Sequence, residues 1–218
     1  MERSGGGVTY PRFVYRYLAD AQDAEATLRG RVRISTFEHI RNLDATRADP
    51  DEGKLQFTLR RLDGTTPPEE AAIMRRRLDR FGAVGPGGSG HVIHDNIIEA
   101  RVADAYMLCT SLAGGDKRLK ASFGEHCIRI AEPRDFHIAV AKALDRATPL
   151  RSLGYAPVQY EGRELVDARR HSESPYFANV SGNAREREAR FVWLPVSHRG
   201  LAPMTVDVPE VVHLLSRV

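Results

Sequence analysis

Glu186, Glu188 and Arg190 stand at alternate positions in the run Arg185-Glu186-Arg187-Glu188-Ala189-Arg190-Phe191-Val192-Trp193-Leu194-Pro195. In an extended chain the strand period puts these three on one face and Arg187, Ala189, Phe191 and Trp193 on the other. A row of carboxylates beside a guanidinium suits chemistry at a sugar. It can hold a ribose hydroxyl and stabilise the positive charge that develops as a glycosidic bond breaks. The same alternation also fits a solvated ladder of ion pairs, worth less than about 1 kcal/mol.

Two further segments carry suitable residues. Cys109-Thr110-Ser111 closes the apolar stretch Ala105-Tyr106-Met107-Leu108. Hydroxyls at the end of a buried strand orient a ligand or a neighbouring carboxylate, or else satisfy backbone groups. In Arg12 to Leu18 the alternation sets Phe13, Tyr15 and Tyr17 on one face and Val14, Arg16 and Leu18 on the other. An unpaired charge at Arg16 among apolar neighbours is costly, so the pattern implies an acidic partner or an anionic ligand.

The elements that must position these residues read as strands interspersed unevenly with helices. Strands are expected at Arg12 to Leu18, Val32 to Thr36, Lys54 to Leu62, His91 to Arg101, Ala105 to Leu112, His126 to Ile130, Ala156 to Tyr160 and Ala189 to Leu194. Helices are expected from Asp20 or Asp23 to Gly30, Phe37 to Leu43, Pro67 to Arg80 and Arg134 to Arg146, with a last one led by Pro209. Gly114 to Gly124 and Gly82 to Gly90 read as loops. The uneven order points to an α+β fold, a mixed or mostly antiparallel sheet with flanking helices. Residues 1–11 form a flexible start and residues 12–218 one domain.

Of the 218 residues, 42% are hydrophobic and 28% charged, the balance of a globular chain rather than a disordered one. The net charge of +3 leaves any attraction to nucleic acid to local clusters, of which Arg75-Arg76-Arg77 is the densest. The glycine-rich start lacks the apolar stretch of a signal peptide, and no long apolar run follows, so a cytoplasmic protein without membrane contact is expected. Cys109 and Cys127 lack metal or redox spacing and read as buried, reduced thiols.

Other motifs carry less. Gly85-x-Gly87-x-x-Gly90 has no strand before it and holds Pro86 in the turn, which argues for a linker and not a phosphate cradle. His91 and His94 would face opposite ways on a strand, so no metal is expected there. Asp49, Asp51 and Glu52 lie in a turn whose length does not suit a calcium loop.

With these motifs in order, the chain resembles a bacterial domain-of-unknown-function family. The likeness lies in Tyr15-Arg16-Tyr17, the Asp49-Pro50 turn, Cys109-Thr110-Ser111 and Glu186-x-Glu188-x-Arg190. More distantly it is similar to the Arg-Ser-Glu class of ADP-ribosyltransferases, with cysteine in place of the first serine of the middle motif. That resemblance implies NAD as substrate, no metal, and a protein or nucleic-acid acceptor, in an enzyme of toxin or phage-defence type. It further implies that Arg16 grips the NAD phosphates or ribose, Ser111 braces the site, Glu188 holds the nicotinamide ribose and Glu186 orients the acceptor. Tyr17, Thr110 and Arg190 complete the implied cofactor-binding set. For this to hold, Arg16, Ser111 and Glu188 must line one cleft. A non-catalytic protein- or RNA-binding regulatory module is the alternative, and a metal-dependent nuclease using Asp49, Asp51, Glu52 and Glu188 a further one.

Overall fold

Burial alternates along Arg31–Thr36: Val32 and Ile34 are fully buried while Arg31 and Arg33 point outward. That is the two-residue period of a strand with one face on a core; Met204–Asp207 repeats it, whereas Tyr106–Ser111 and Glu188–Pro195 are buried at nearly every residue. The structure is a computed structural model that describes residues 11–42, 54–62, 67–69, 72, 93–160, 164–166, 175–179 and 185–218. The chain divides into two compact units, one drawn from Met1–Glu52, Ala103–Val158 and Gly182–Val218, the other from Gly53–Val102 and Gln159–Ser181.

The first unit begins with β1 (Phe13–Leu18), α1 (Ala21–Leu28), β2 (Arg31–Thr36) and α2 (Phe37–Arg41). The chain leaves for the second unit, where β3 (Lys54–Leu62) and β4 (Ile93–Arg101) pair antiparallel. It returns with β5 (Tyr106–Ser111), α3 (Lys117–Phe123), β6 (His126–Ala131), α4 (Pro133–Ala147) and β7 (Leu150–Pro157). The short strands β8 (Gln159–Tyr160), β9 (Glu164–Val166) and β10 (Ala178–Asn179) belong to the second unit; β9 joins β3 in parallel and β10 pairs with β8 in parallel. The first unit ends with β11 (Glu188–Pro195), β12 (Met204–Asp207), a 3-10 helix (Pro209–Leu214) and β13 (Leu215–Arg217).

Its sheet has eight strands in antiparallel pairs and does not close. The α+β expectation therefore holds, with the antiparallel form of the sheet. β5 is central. Along one edge it pairs with β11, which pairs on its far side with β7. Along the other edge the sheet forks: β2 takes Tyr106 and Met107, whereas β1 takes Ser111. Beyond the fork, β12 flanks β2, and β6 then β13 flank β1.

The face carrying Val14, Leu108, Ile130, Phe191 and Trp193 is the core face, and α4 belongs to the same buried cluster. Helix α4 forms there because Pro133 sits at its first turn and Phe136, Val140, Ala143 and Leu144 recur at helical spacing. Burying Phe136 alone contributes about 2–3 kcal/mol.

Several elements differ from expectation. Gly114 to Gly124 is not all loop, because Asp116 accepts from the amides of Arg118 and Leu119 and so caps α3. The C-terminal segment forms only a 3-10 turn before β13, its helical potential cut short by the β-branched pair Val211-Val212. β12 has no alternating apolar pattern long enough to announce it. The loop expected around Asp49 to Gly53, most of the helix expected from Pro67, the Gly82 to Gly90 loop, the Arg75 to Arg77 cluster and His91 lie outside the described residues.

Candidate functional site

The cross-strand register decides which candidates meet. Tyr15 lies opposite Ser111, and Ser111 lies opposite Glu188, so the three form a row on one sheet face. Arg190 follows two residues later on the same face, opposite Cys109. Its guanidinium binds Glu188 in two parallel bonds, Nε to Oε1 at 2.7 Å and Nη2 to Oε2 at 2.8 Å. The side chains are 1% and 8% exposed for Arg190 and Glu188. This is a buried bidentate pair and not a solvated ladder. Holding such a pair out of water costs so much desolvation that it adds little net stability, yet deleting one partner is strongly destabilising.

Glu186 departs from the expected row. The strand begins at Glu188, and Arg187 just before it has φ 46, a left-handed conformation unusual for arginine. That residue breaks the alternation, so Glu186 lies in the approach to the strand. The kink is held by β5: the Ser111 hydroxyl donates to the Glu186 carbonyl at 2.7 Å, and the Leu112 amide donates to the Arg187 carbonyl at 2.8 Å. A non-glycine residue kept in sparsely populated backbone space next to a buried ion pair is strain of the kind found at working sites.

The loop after Ser111 is clamped by the two tyrosines of β1. The Tyr17 hydroxyl donates to the Ala113 carbonyl at 2.7 Å and accepts from the Asp116 amide at 3.0 Å. Burial, the largest influence, pushes that phenol up to about 12. The Tyr15 ring occupies the place where a side chain on Gly114 would go, so only glycine lets the loop lie this close. Tyr17 thus positions the loop; its one donor is already committed. Ser111 completes the clamp by accepting from the Ala113 amide at 3.0 Å.

Arg16 and Thr110 face the other way. Arg16 sits opposite Ile128, a core residue, and Thr110 donates to the Ala189 carbonyl at 2.7 Å. The strand parity that puts Tyr15 in the Glu188 row turns Arg16 away from it. The cleft that Arg16 lines includes neither Ser111 nor Glu188, and Thr110 ties β5 to β11 rather than meeting the polar row. Arg16 instead reaches into the fork, where Nη2 donates to the Arg33 carbonyl at 3.0 Å. Nη1 is buried with no hydrogen-bond partner among the described residues. Burial pulls this guanidinium down to about 10, partly offset by Cys109 and Asp23.

Beside Arg16 lies a cleft of about 370 Å³ whose lining includes Asp23, Arg31, Arg33 and Thr205. Arg31 and Arg33 escaped the reading from residue pattern, although Arg31-Val32-Arg33-Ile34 alternates; nothing in the sequence signals Thr205, because β12 is short and featureless. Cys109 is exposed, contrary to expectation, while Cys127 is buried, and neither is in a disulfide. Cys109 lies on the Arg190 face rather than that of Leu108. Among the described residues no group of three or more His, Cys, Asp and Glu could hold a metal ion, and no helix is long and apolar enough to cross a membrane. No family model, no curated protein and no solved structure matches this chain.

Proposed function

We propose that the protein is an ADP-ribosyltransferase-like enzyme that cleaves NAD and modifies a protein or nucleic acid, with Glu188 at its centre. The observation that carries this reading is the Glu188–Arg190 pair, braced in one row with Ser111 and abutting the left-handed Arg187. Arg190 fixes the carboxylate through both oxygens and so holds its charge in one place and one orientation. In the reaction the bond between the ribose carbon and nicotinamide breaks, the electron pair leaves with nicotinamide, and the carboxylate stabilises the oxocarbenium ion until the acceptor attacks. Glu186, at the kink, takes the acceptor's proton. Arg16 has no part in this step, since it lines a cleft that does not include Glu188.

Nicotinamide release, with and without Glu188→Gln, tests the proposal. The variant is expected to lose activity by a factor of at least ~100. Because its buried partner Arg190 is left with a weaker acceptor, rates are compared only where circular dichroism shows both proteins folded. Wild-type protein that neither binds nor turns over NAD would shift the function to a binding module.

A further inference from the structure

We infer that the cleft in the fork between β1 and β2 is a second site, one that takes an organic phosphomonoester. It lies within the first unit, and its lining shares no residue with the Glu188–Arg190–Ser111 row, so it does not depend on the NAD reading.

The chemistry of its walls is divided. One part is cationic: Arg16, Arg31 and Arg33 line it against a single carboxylate, Asp23. Arg31 is also shared with Asp207 at 3.3 Å, but both side chains are more than half exposed, so that pair yields readily to a better anion. Guanidinium groups bind phosphate oxygens through a planar fork, and a dianion answers two of them at once. The exposed Thr205, opposite Arg33 on the neighbouring strand, adds a hydroxyl donor. The other part is apolar, formed by Leu18, Ala26, Pro203 and Met204. That wall offers nothing to free phosphate but suits the body to which a phosphate is esterified, and the volume fits a mononucleotide-sized ligand.

Arg16 supplies the independent argument. An arginine in a core-facing position, satisfied by one carbonyl and with Nη1 buried and unpartnered, is poorly explained as a structural residue. A ligand anion supplies the missing acceptor. Asp23 does not, because no ion pair joins it to Arg16 among the described residues, and Thr27 spends its hydroxyl on the Asp23 carbonyl at 2.8 Å.

Isothermal titration with AMP, adenosine and inorganic phosphate tests this on the full chain. AMP is expected to bind at least ~10-fold tighter than either fragment, and Arg16→Met to lose at least ~10-fold in affinity. Should Arg16→Met fail to fold, Thr205→Glu puts a negative charge on the exposed rim without touching the core and must weaken AMP binding equally. Two hexanucleotides, one 5′-phosphorylated and one with a 5′-hydroxyl, separate a free ester from a nucleic-acid end. Binding of only the phosphorylated one extends the site to strand ends. Equal binding of both overturns the phosphomonoester assignment, as does AMP that binds no better than adenosine or that ignores both substitutions.

Discussion

Arg16 and Arg190 are two guanidiniums in neighbouring parts of one sheet, turned to opposite faces and satisfied in opposite ways. Arg190 meets a carboxylate on both prongs and is 1% exposed. Arg16 meets one backbone carbonyl, and its other terminal nitrogen has no hydrogen-bond partner among the described residues. The difference teaches how burial should be read. A paired buried charge is held in place by its partner, and breaking the pair strands an ion in a low-dielectric interior. A half-buried charge with one nitrogen shut away from water and the other on a carbonyl costs the fold stability whenever no anion is bound, which is a reason to look for a ligand rather than a structural role.

The largest expected effect is at Arg190. Arg190→Met leaves Glu188 without its partner and is predicted to lower unfolding free energy by about 3–5 kcal/mol, read as a urea midpoint shift at unchanged slope. A loss under about 1 kcal/mol would mean the pair behaves as a surface ladder after all, and the contrast with Arg16 would collapse.

His137 sharpens the same contrast on the core face. It is buried among Phe191, Trp193 and Tyr155, with ring centroids 5.2, 4.9 and 6.5 Å away. Burial pulls the imidazole down to about 4, partly offset by its bond to the Val192 backbone. The unfolded chain, with an ordinary value near 6.5, therefore binds the proton first. The stability gained by keeping this ring neutral is fully present above about pH 6.5 and is lost as pH falls through about 4, up to roughly 3 kcal/mol in all. Urea melts across that window should show the slope, and His137→Phe should flatten it while keeping an aromatic side chain in the cluster.

The smallest effect belongs to Arg16. Arg16→Met removes the desolvated charge and one hydrogen bond, and is predicted to stabilise the ligand-free protein by ~1 kcal/mol. Thermal melts with and without AMP measure it. A destabilisation above about 2 kcal/mol would make Arg16 a structural lock of the fork, and the comparison would then be between two kinds of scaffold.

Much of the frame is legible in residue pattern. The alternation in Phe13 to Leu18 and Arg31 to Thr36, and the helical spacing of Phe136, Val140 and Leu144, mark strand and helix because local geometry alone decides which side chains share a face. Asp116 as a cap was readable in principle, yet the glycines around α3 masked it. The site was legible in composition and not in assembly. Glu188, Arg190 and Ser111 stand out as residue types, but Glu186 leaves the row because Arg187 adopts a left-handed backbone, which no spacing rule foretells.

By itself, then, the sequence determined an α+β chain with an apolar strand face, a polar run before Phe191 and a charge at Arg16 that needs an answer. Only the tertiary structure decided which residues answer which. Register puts Tyr15, Ser111 and Glu188 in one row and turns Arg16 to the other face. The forking of β1 from β2 opens the cleft that gathers Arg16, Arg31 and Arg33. The physical reason is that strand parity is a local property fixed by backbone geometry. Pairing register and sheet branching are instead set by which long-range arrangement buries the apolar faces together, and that choice is made by the whole unit at once.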